Sequence, residues 1–499
     1  MARVLSKSKI LSFLQCPKRL WLEVHRPDLI EKSASVQQRF AAGHEVGEVA
    51  RRIYDPDGKG TLIDVQTEGF SGALARSQEL LGKNQPIFEA GFAAEGALAF
   101  ADIMLPARKA GKKVWHMVEV KSSTSLKDYH RKDAAIQTFI ARKAGVPLAS
   151  VALAHVDTQW VYPGEGDYSG LLLENDLTDE AMGMEPEVRE WIQEAQSVVR
   201  KRNEPDIEVG AQCNTPFECP FIGHCAEEIS MAEHPVEWLP DLRTKEIKEL
   251  IANGATDMRE IPDSLLNERQ LRVKQATVTG KVYFDAKGAS KALSQHPLPA
   301  YFVDFETISF AVPRWKGTRP YQSVPFQFSL HYMAKPGKLE HHEFLDLSGK
   351  DPSRDFAERL IKVCGASGPI FVYNKSFENR IITELADRMK DLKPALEKIS
   401  KRLVDLLPLT KAHYYHPSQK GSWSIKAVLP AIMGVGYDSL DGVSDGGMAM
   451  EAYLEAVSPE TSHKRKQKIE EELLQYCHLD TKAMVMLREF LLAHKFPTT

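Results

Sequence analysis

The stretch Tyr301-Phe302-Val303-Asp304-Phe305-Glu306-Thr307 sets two carboxylates two residues apart inside an otherwise apolar run. Such a run after Pro299 reads as a buried strand, and residues i and i+2 of a strand share one face. Two acids side by side on a buried face lose solvation and repel each other, so a bound cation is the usual remedy. Magnesium favours oxygen ligands, and two such ions roughly 4 Å apart can hold the attacking and leaving oxygens of a phosphodiester. A strand of this kind implies further carboxylates elsewhere in the chain.

With 499 residues the chain exceeds one ordinary core, which predicts two or three domains. Its 43% hydrophobic and 26% charged residues match a soluble globular protein. No apolar run approaches the roughly 20 residues of a membrane span. Gln15, Cys16, Pro17, Lys18 and Arg19 interrupt the apolar N-terminal stretch, so no signal peptide and no membrane partner are expected, and a cytoplasmic address follows. A net charge of −4 carries no global signature of nucleic acid. Local basic clusters such as Arg200-Lys201-Arg202 and Lys464-Arg465-Lys466 read as solvated faces.

In the N-terminal half, residues 6–21 read as one capped helix carrying Cys16, and 36–54 as a second helix carrying His44. Strands follow at 87–92, at 98–105 with Asp102, and at 114–121, with a basic turn over 106–113 joining the last two as a hairpin. Glu119 and Lys121 share a face of the third strand, and the hairpin can bring Asp102 beside them. A helix over 129–144 turns Ile136, Phe139 and Ile140 inward with Gln137 beside them. Asp102 and Glu119 could hold a divalent ion that lowers the pKa of its water, with Lys121 orienting that water or stabilising the transition state. Alone, Glu-x-Lys is an ordinary exposed ion pair. Its place in the order His44, Asp102, Glu119-x-Lys121, Gln137 is what gives it weight.

Three of the six cysteines, Cys213, Cys219 and Cys225, lie in Cys-x5-Cys-x5-Cys with turn-forming Pro and Gly between them. In a cytosolic protein such a group reads as metal ligands rather than disulfides. Zinc favours closer pairs and a fourth local ligand, for which His224 is available. An iron–sulfur cluster accepts longer loops and a remote thiolate, which Cys16 offers. Cys364 and Cys477 read as apolar core fillers.

On these motifs, residues 1 to about 228 resemble the RecB-type PD-(D/E)xK nucleases of the CRISPR-associated, iron–sulfur branch. The resemblance implies a restriction-endonuclease-like nuclease domain over 1–232. It implies a [4Fe–4S] cluster on Cys16, Cys213, Cys219 and Cys225, with His44, Asp102, Glu119, Lys121 and Gln137 as site residues, His44 among the metal ligands. Two departures stand out. Five residues rather than two separate Cys213 from Cys219, and Ala141 stands where the family has Tyr.

Residues 233–297, rich in Pro, Leu and charge, read as a helical connector. Within it Leu250–Met258 has the helix–Gly–helix pattern of a DNA-backbone hairpin, although a helix ending at Gly254 accounts for it more simply. Beyond 298, strands at 327–332 and 341–345 continue a meander, and a short strand at 369–373 runs into a helix bearing Glu378 in its first turn. Asp405 is a fallback ligand for the ions, with a structural or helix-capping role the stronger reading. A long amphipathic helix over 466–494 sets Tyr476 and Asp480 one turn apart. Asp304, Glu306, Glu378 and Asp480 can together hold two ions while the Tyr476 hydroxyl positions water.

The second half resembles the DnaQ-like, or DEDD, 3′–5′ exonucleases of ribonuclease H-like fold, in their Tyr-bearing subclass. It departs from them in carrying Glu378 where they have Asp. The whole chain resembles a bacterial family that fuses the two modules, which makes it an α/β protein. The resemblances imply a Mg2+- or Mn2+-dependent nuclease with two centres acting on DNA, single-stranded or with free ends, in repair, recombination or defence. Two other readings stay open: a nucleic-acid-binding scaffold with one degenerate site, and an RNA 3′ exonuclease that uses the C-terminal half alone.

Overall fold

Apolar strands alternating with amphipathic helices assemble here into two mixed α/β units. In the computed structural model residues 4–31, 34–227, 232–434, 436–437 and 442–493 are described. Contacts divide the chain into Met1–Ile229 with Phe310–Gln322, and Ser230–Ser309 with Ser323–Thr499. Among the described residues no helix is long and apolar enough to cross a membrane.

The first unit is built on a seven-stranded mixed sheet. Its strands are β1 (Leu5–Ser6), β2 (Thr61–Leu62), β3 (Ile87–Ala94), β4 (Ala97–Lys109), β5 (Lys112–Lys121), β6 (Leu148–Val156) and β7 (Leu172–Asp176). They run in the order β2-β3-β4-β5-β6-β7, with β1 on β4. Strands β3, β4 and β5 form an antiparallel meander, and β5 and β6 are parallel. The segment joining β5 to β6 is the crossover helix that parallel pairing requires. Five helices matter in this unit: α1 (Lys7–Gln15), α2 (Pro17–His25), α3 (Ala34–Tyr54), α4 (Val65–Leu81) and the crossover α5 (Asp128–Lys143). Helix α5 lays Ile136, Phe139 and Ile140 into the main core with Trp115, Met117 and Phe92.

Two local expectations are corrected. The helix expected over 6–21 is two helices, because Cys16 takes an extended conformation (φ −161°) and Pro17 starts α2. Proline lacks the N–H a helix interior needs but suits a first turn. The basic segment 106–113 is mostly strand, with the turn confined to Ala110 and Gly111, both at positive φ. That is the two-residue hairpin geometry matched to strand twist.

The second unit holds β8 (Tyr283–Phe284) and β14 (Tyr414–Tyr415) as a two-stranded ribbon. Its main sheet contains β9 (Ala300–Ile308), β10 (Val324–Lys335), β11 (Lys338–Leu345), β12 (Ile370–Val372) and β13 (Leu403–Asp405), in the order β11-β10-β9-β12-β13. The first three are antiparallel, whereas β9, β12 and β13 run parallel. The long helix His463–Ala493 packs on β9 and β10 through Met484, Leu487 and Leu491, among others. His494, expected at its end, lies outside the described residues.

Residues 233–297 contribute Val236, Leu239, Ile247 and Val273 to the same core as Phe302 and Phe371. The helix Lys245–Ala252 ends with Asn253 as its cap and Gly254 at φ +99° beyond it. A short 3-10 turn at Met258–Glu260 follows, so the second helix of a hairpin motif is not there.

Candidate functional site

In the second unit, alternation along β9 turns Asp304 and Glu306 to the face covered by the long helix. The register pairs them with Ser329 and Gln327 of β10, and the Gln327 side chain donates to the Leu473 carbonyl of that helix at 2.7 Å. Asp480, one turn beyond Tyr476, descends from the helix onto these acids. One oxygen from each of Asp304, Glu306 and Asp480 lies within 4.8 Å of the others, a group able to hold a metal ion.

Burial raises the Asp304 carboxyl well above its ordinary pKa, helped by the neighbouring charges of Asp480, Glu306 and Glu378. Glu306 is pushed up to about 8, first by burial and then by Asp480, while Lys426 opposes the rise. Glu378 sits in the first turn of the helix Lys375–Arg388, 2% exposed, and burial pushes it up to about 8. Its charge reaches Asp304, but it stands outside the group of three, and its Oε2 is buried with no hydrogen-bond partner among the described residues. Asp405 accepts the N–H groups of Asn374, Lys375 and Leu407 at 2.9–3.1 Å, so it caps chain turns and leaves the site to the others.

Tyr476 is a buried phenol beside Asp480, and burial together with that carboxylate's charge keeps it protonated. Sequence reasoning missed two further members. Tyr437 donates a hydrogen bond to Asp480 Oδ1. Lys426 Nζ lies over the Tyr476 ring at 5.0 Å and the Tyr437 ring at 5.4 Å, and donates to the Ser444 carbonyl at 2.7 Å. Lys426 also lines a cleft with Arg269, Lys411, Tyr373, Asn374 and Trp423. Ser424 caps the helix that carries Lys426, and that local signal was legible.

In the first unit the antiparallel register of β4 and β5 brings Asp102 next to the end of β5, where the Val120 N–H donates to Asp102 Oδ2 at 2.7 Å. Burial and the Glu119 charge raise the Asp102 carboxyl, against the pull of Lys7 and Lys121. Lys121 Nζ lies 2.6 Å from Glu119 Oε1 and 2.5 Å from Asp133 Oδ2. Lys7 Nζ lies 2.7 Å from the same Glu119 oxygen and 3.0 Å from Asp133 Oδ1. Two ammonium groups thus share one carboxylate oxygen, while Glu119 Oε2 is buried with no hydrogen-bond partner among the described residues. Burial works against the Asp133 carboxylate, but Lys121 and Lys7 hold it well below the usual range.

Gln137 serves differently. Its side chain donates to the Phe100 carbonyl of β4 at 2.5 Å and fixes the strand that carries Asp102. His44 is exposed on α3, and Glu89 is a β3 residue at φ +55° whose carboxyl is raised by burial and by Glu119. Lys7, Glu89 and Asp133 were not singled out from the sequence. Asp133 had a signal, since it lies one turn before Gln137 on α5.

Cys16, Cys213, Cys219 and Cys225 line one cavity with Leu22, Ile207 and Val209. All are free thiols, the first three buried. The break between α1 and α2 exposes the Cys16 side of the bend to the late loop, and Gln15 ties that loop down by donating to the Gln212 and Phe217 carbonyls at 2.7 Å. Burial raises the Cys219 and Cys225 thiols, with the sulfurs of Cys213 and Cys16 adding to it. The donor set, four thiols round an apolar cavity, fits a thiolate-ligated metal centre. Cys364 caps a helix and Cys477 is fully buried beneath Asp304, both outside that cavity.

Comparison with curated proteins returns no match. Residues 301–424 match the model of a family described as a domain of unknown function, DUF2779.

Proposed function

We propose that this chain is a metal-dependent phosphodiester hydrolase acting on nucleic acid, with DNA carrying single-stranded or free ends as the leading substrate. The observation that carries the reading is the convergence of Asp304, Glu306 and Asp480, from a strand and a distant helix, to within 4.8 Å. Acids so placed are unstable without a cation, and three carboxylates beside a protonated tyrosine suit Mg2+ or Mn2+.

A divalent cation bound there supplies Lewis acidity toward a phosphoryl oxygen and makes water a better nucleophile at neutral pH. The chain's own residues do the rest. Tyr476 orients the attacking water through its hydroxyl, and Lys426 offers positive charge to the phosphate next to the scissile bond. The cleft of Arg269, Lys411 and Lys426 with Trp423 suits a strand end, since cations track the backbone and an aromatic face accepts any base. In the first unit, Asp102 and Glu119 Oε2 would hold a cation, and Lys121 would steer water or stabilise the charge of the transition state. Cys16, Cys213, Cys219 and Cys225 would hold a [4Fe–4S] cluster that ties the first helices to the late loop.

The test is incubation of purified protein with Mg2+ or Mn2+ and end-labelled single- and double-stranded DNA and RNA. Asp304→Ala and Lys121→Ala are expected to remove separable activities. No degradation of any of these substrates would end the enzyme reading. Ribose against deoxyribose substrates decides between RNA and DNA.

One observation favours a second reading, a nucleic-acid-binding scaffold with a degenerate site. Glu378 lies outside the group of three acids. Tight DNA binding with no metal-dependent turnover selects it.

A further inference from the structure

Histidines 331, 341 and 478 come from three elements of the second unit and meet at one place. His331 on β10 and His341 on β11 are directly opposite in the antiparallel register, which puts both rings on one face. His478 reaches them from the long helix. The ring centroids are 4.7 Å apart for His331 and His341, 4.7 Å for His331 and His478, and 4.4 Å for His341 and His478. The rings are inclined by 39°, 67° and 74° rather than stacked flat. One nitrogen from each lies within 4.8 Å of the others.

Two of the imidazoles are held from behind. His331 Nδ1 shares a hydrogen bond with Thr481 Oγ1 at 2.8 Å, which leaves its Nε2 for another partner. His341 Nε2 shares one with Ser329 Oγ at 2.9 Å, which leaves its Nδ1. Ser329 and Thr481 are themselves bonded at 2.7 Å, so one hydroxyl pair holds both rings in orientation. Hydroxyl or carbonyl partners on the far nitrogen are how metal-ligating histidines are oriented. Beyond His341, the Glu343 carboxylate lies 3.8 Å from Nδ1, within reach of a fourth ligand position.

We propose that His331, His341 and His478 form a transition-metal site that takes zinc, distinct from the acid group of Asp304, Glu306 and Asp480. Three imidazoles plus a carboxylate or water is a zinc donor set, whereas magnesium avoids nitrogen. Tetrahedral Zn–N bonds of about 2.0 Å require nitrogens some 3.3 Å apart, so from a separation of at most 4.8 Å no ring moves inward by more than about 1 Å on binding. The ion joins two neighbouring strands to the helix that carries Asp480, two residues beyond His478. It acts as a clip on that helix.

The experiment uses full-length protein purified with zinc. Zinc-edge X-ray absorption of the wild-type protein should show a nitrogen shell with the outer scattering of imidazole, and this signal should persist in Cys219→Ser and Asp304→Asn. Zinc content should fall by one equivalent per chain in His341→Ala, His478→Ala and their double variant. Zinc affinity measured against a chelating dye should weaken at least 100-fold. A wild-type shell of sulfur or oxygen alone, or equal zinc content in wild type and double variant, overturns the proposal. Should the variants fail to fold by circular dichroism, the wild-type spectrum decides alone. None of these readouts requires nuclease activity, so failure here leaves the proposed hydrolase untouched, and the reverse holds.

Discussion

The Tyr437 phenol donates a hydrogen bond to Asp480 Oδ1, the acid that the long helix brings to Asp304 and Glu306. Asp480 is therefore aimed at Asp304 and Glu306 by the Tyr437 phenol. Groups that orient a ligand in this way are typically worth 10–100-fold in metal affinity or activity. Tyr437→Phe is expected to weaken Mn2+ binding within that range, measured by calorimetry. Tyr476→Phe should lower kcat with little change in Mn2+ affinity, because its proposed task is to orient water. Equal effects of the two variants on Mn2+ affinity would show that Tyr476 only positions Asp480.

Lys7 compensates buried charge in the first unit. Its ammonium touches Glu119 and Asp133, both nearly inaccessible, and is itself 16% exposed. Lys7→Met leaves Lys121 as the sole ammonium in contact with those carboxylates among the described residues. Breaking a buried pair of this kind costs about 3 kcal/mol. Urea unfolding should show that loss, while Lys9→Met, at a more exposed pair with Glu23, should stay within about 0.5 kcal/mol of wild type. A Lys7 variant as stable as wild type would mean the network is already neutralised by protonation.

How much of this could be read from the chain depended on whether the signal was local. Strand β9 was legible because its apolar run and its i, i+2 acids obey the strand period. Tyr476 and Asp480 were legible because one helical turn separates them. Lys7 was not, since it meets Glu119 across 112 positions and nothing near either residue announces the other. Tyr437 likewise approaches Asp480 from 43 positions away. The segment 233–297 looked like a connector from its composition, yet Val236 and Ile247 are fully buried against Phe302, a tertiary partner that composition cannot reveal. The three clustered histidines belong to three elements, and only the register of β10 on β11 brings two of them together. Pro17 was visible all along, and its preference for a first turn should have divided the helix expected over 6–21.

Asp304→Asn separates function from stability. Without a cation, Asp304 suffers burial and the charges of Asp480, Glu306 and Glu378 together. An amide in its place needs no proton to stay neutral, so the metal-free protein should gain about 1 kcal/mol, roughly 3 °C in Tm, as is common when a strained functional group is removed. The same variant should lose the second unit's share of the stabilisation that Mn2+ gives wild type and lose turnover from this site. Calorimetric scans with and without Mn2+ check both halves. A destabilised metal-free variant would indicate that the carboxylate is held by contacts worth more than its repulsion.

The acids also fix the direction of the pH dependence. Glu378 and Glu306 are raised to about 8 in the folded chain, against an ordinary value near 4.3 when unfolded. Between those values the folded state binds more protons than the unfolded one, so stability falls as pH rises. The fall begins above about pH 4.5, levels off beyond about pH 8, and amounts to at most about 1.4 kcal/mol per pH unit for each such group. A cation that binds the ionised carboxylates reverses the trend, because its affinity grows as the competing protons leave. Urea midpoints in chelator should therefore drop from pH 5.5 to pH 8, and the gain on adding Mg2+ should be larger at pH 8 than at pH 5.5. Glu378→Gln should flatten part of the slope in chelator, since a neutral amide no longer titrates. Metal-free stability that rises across the same interval would mean the buried carboxylates are ionised and paired, and the case for a cation between them would be lost.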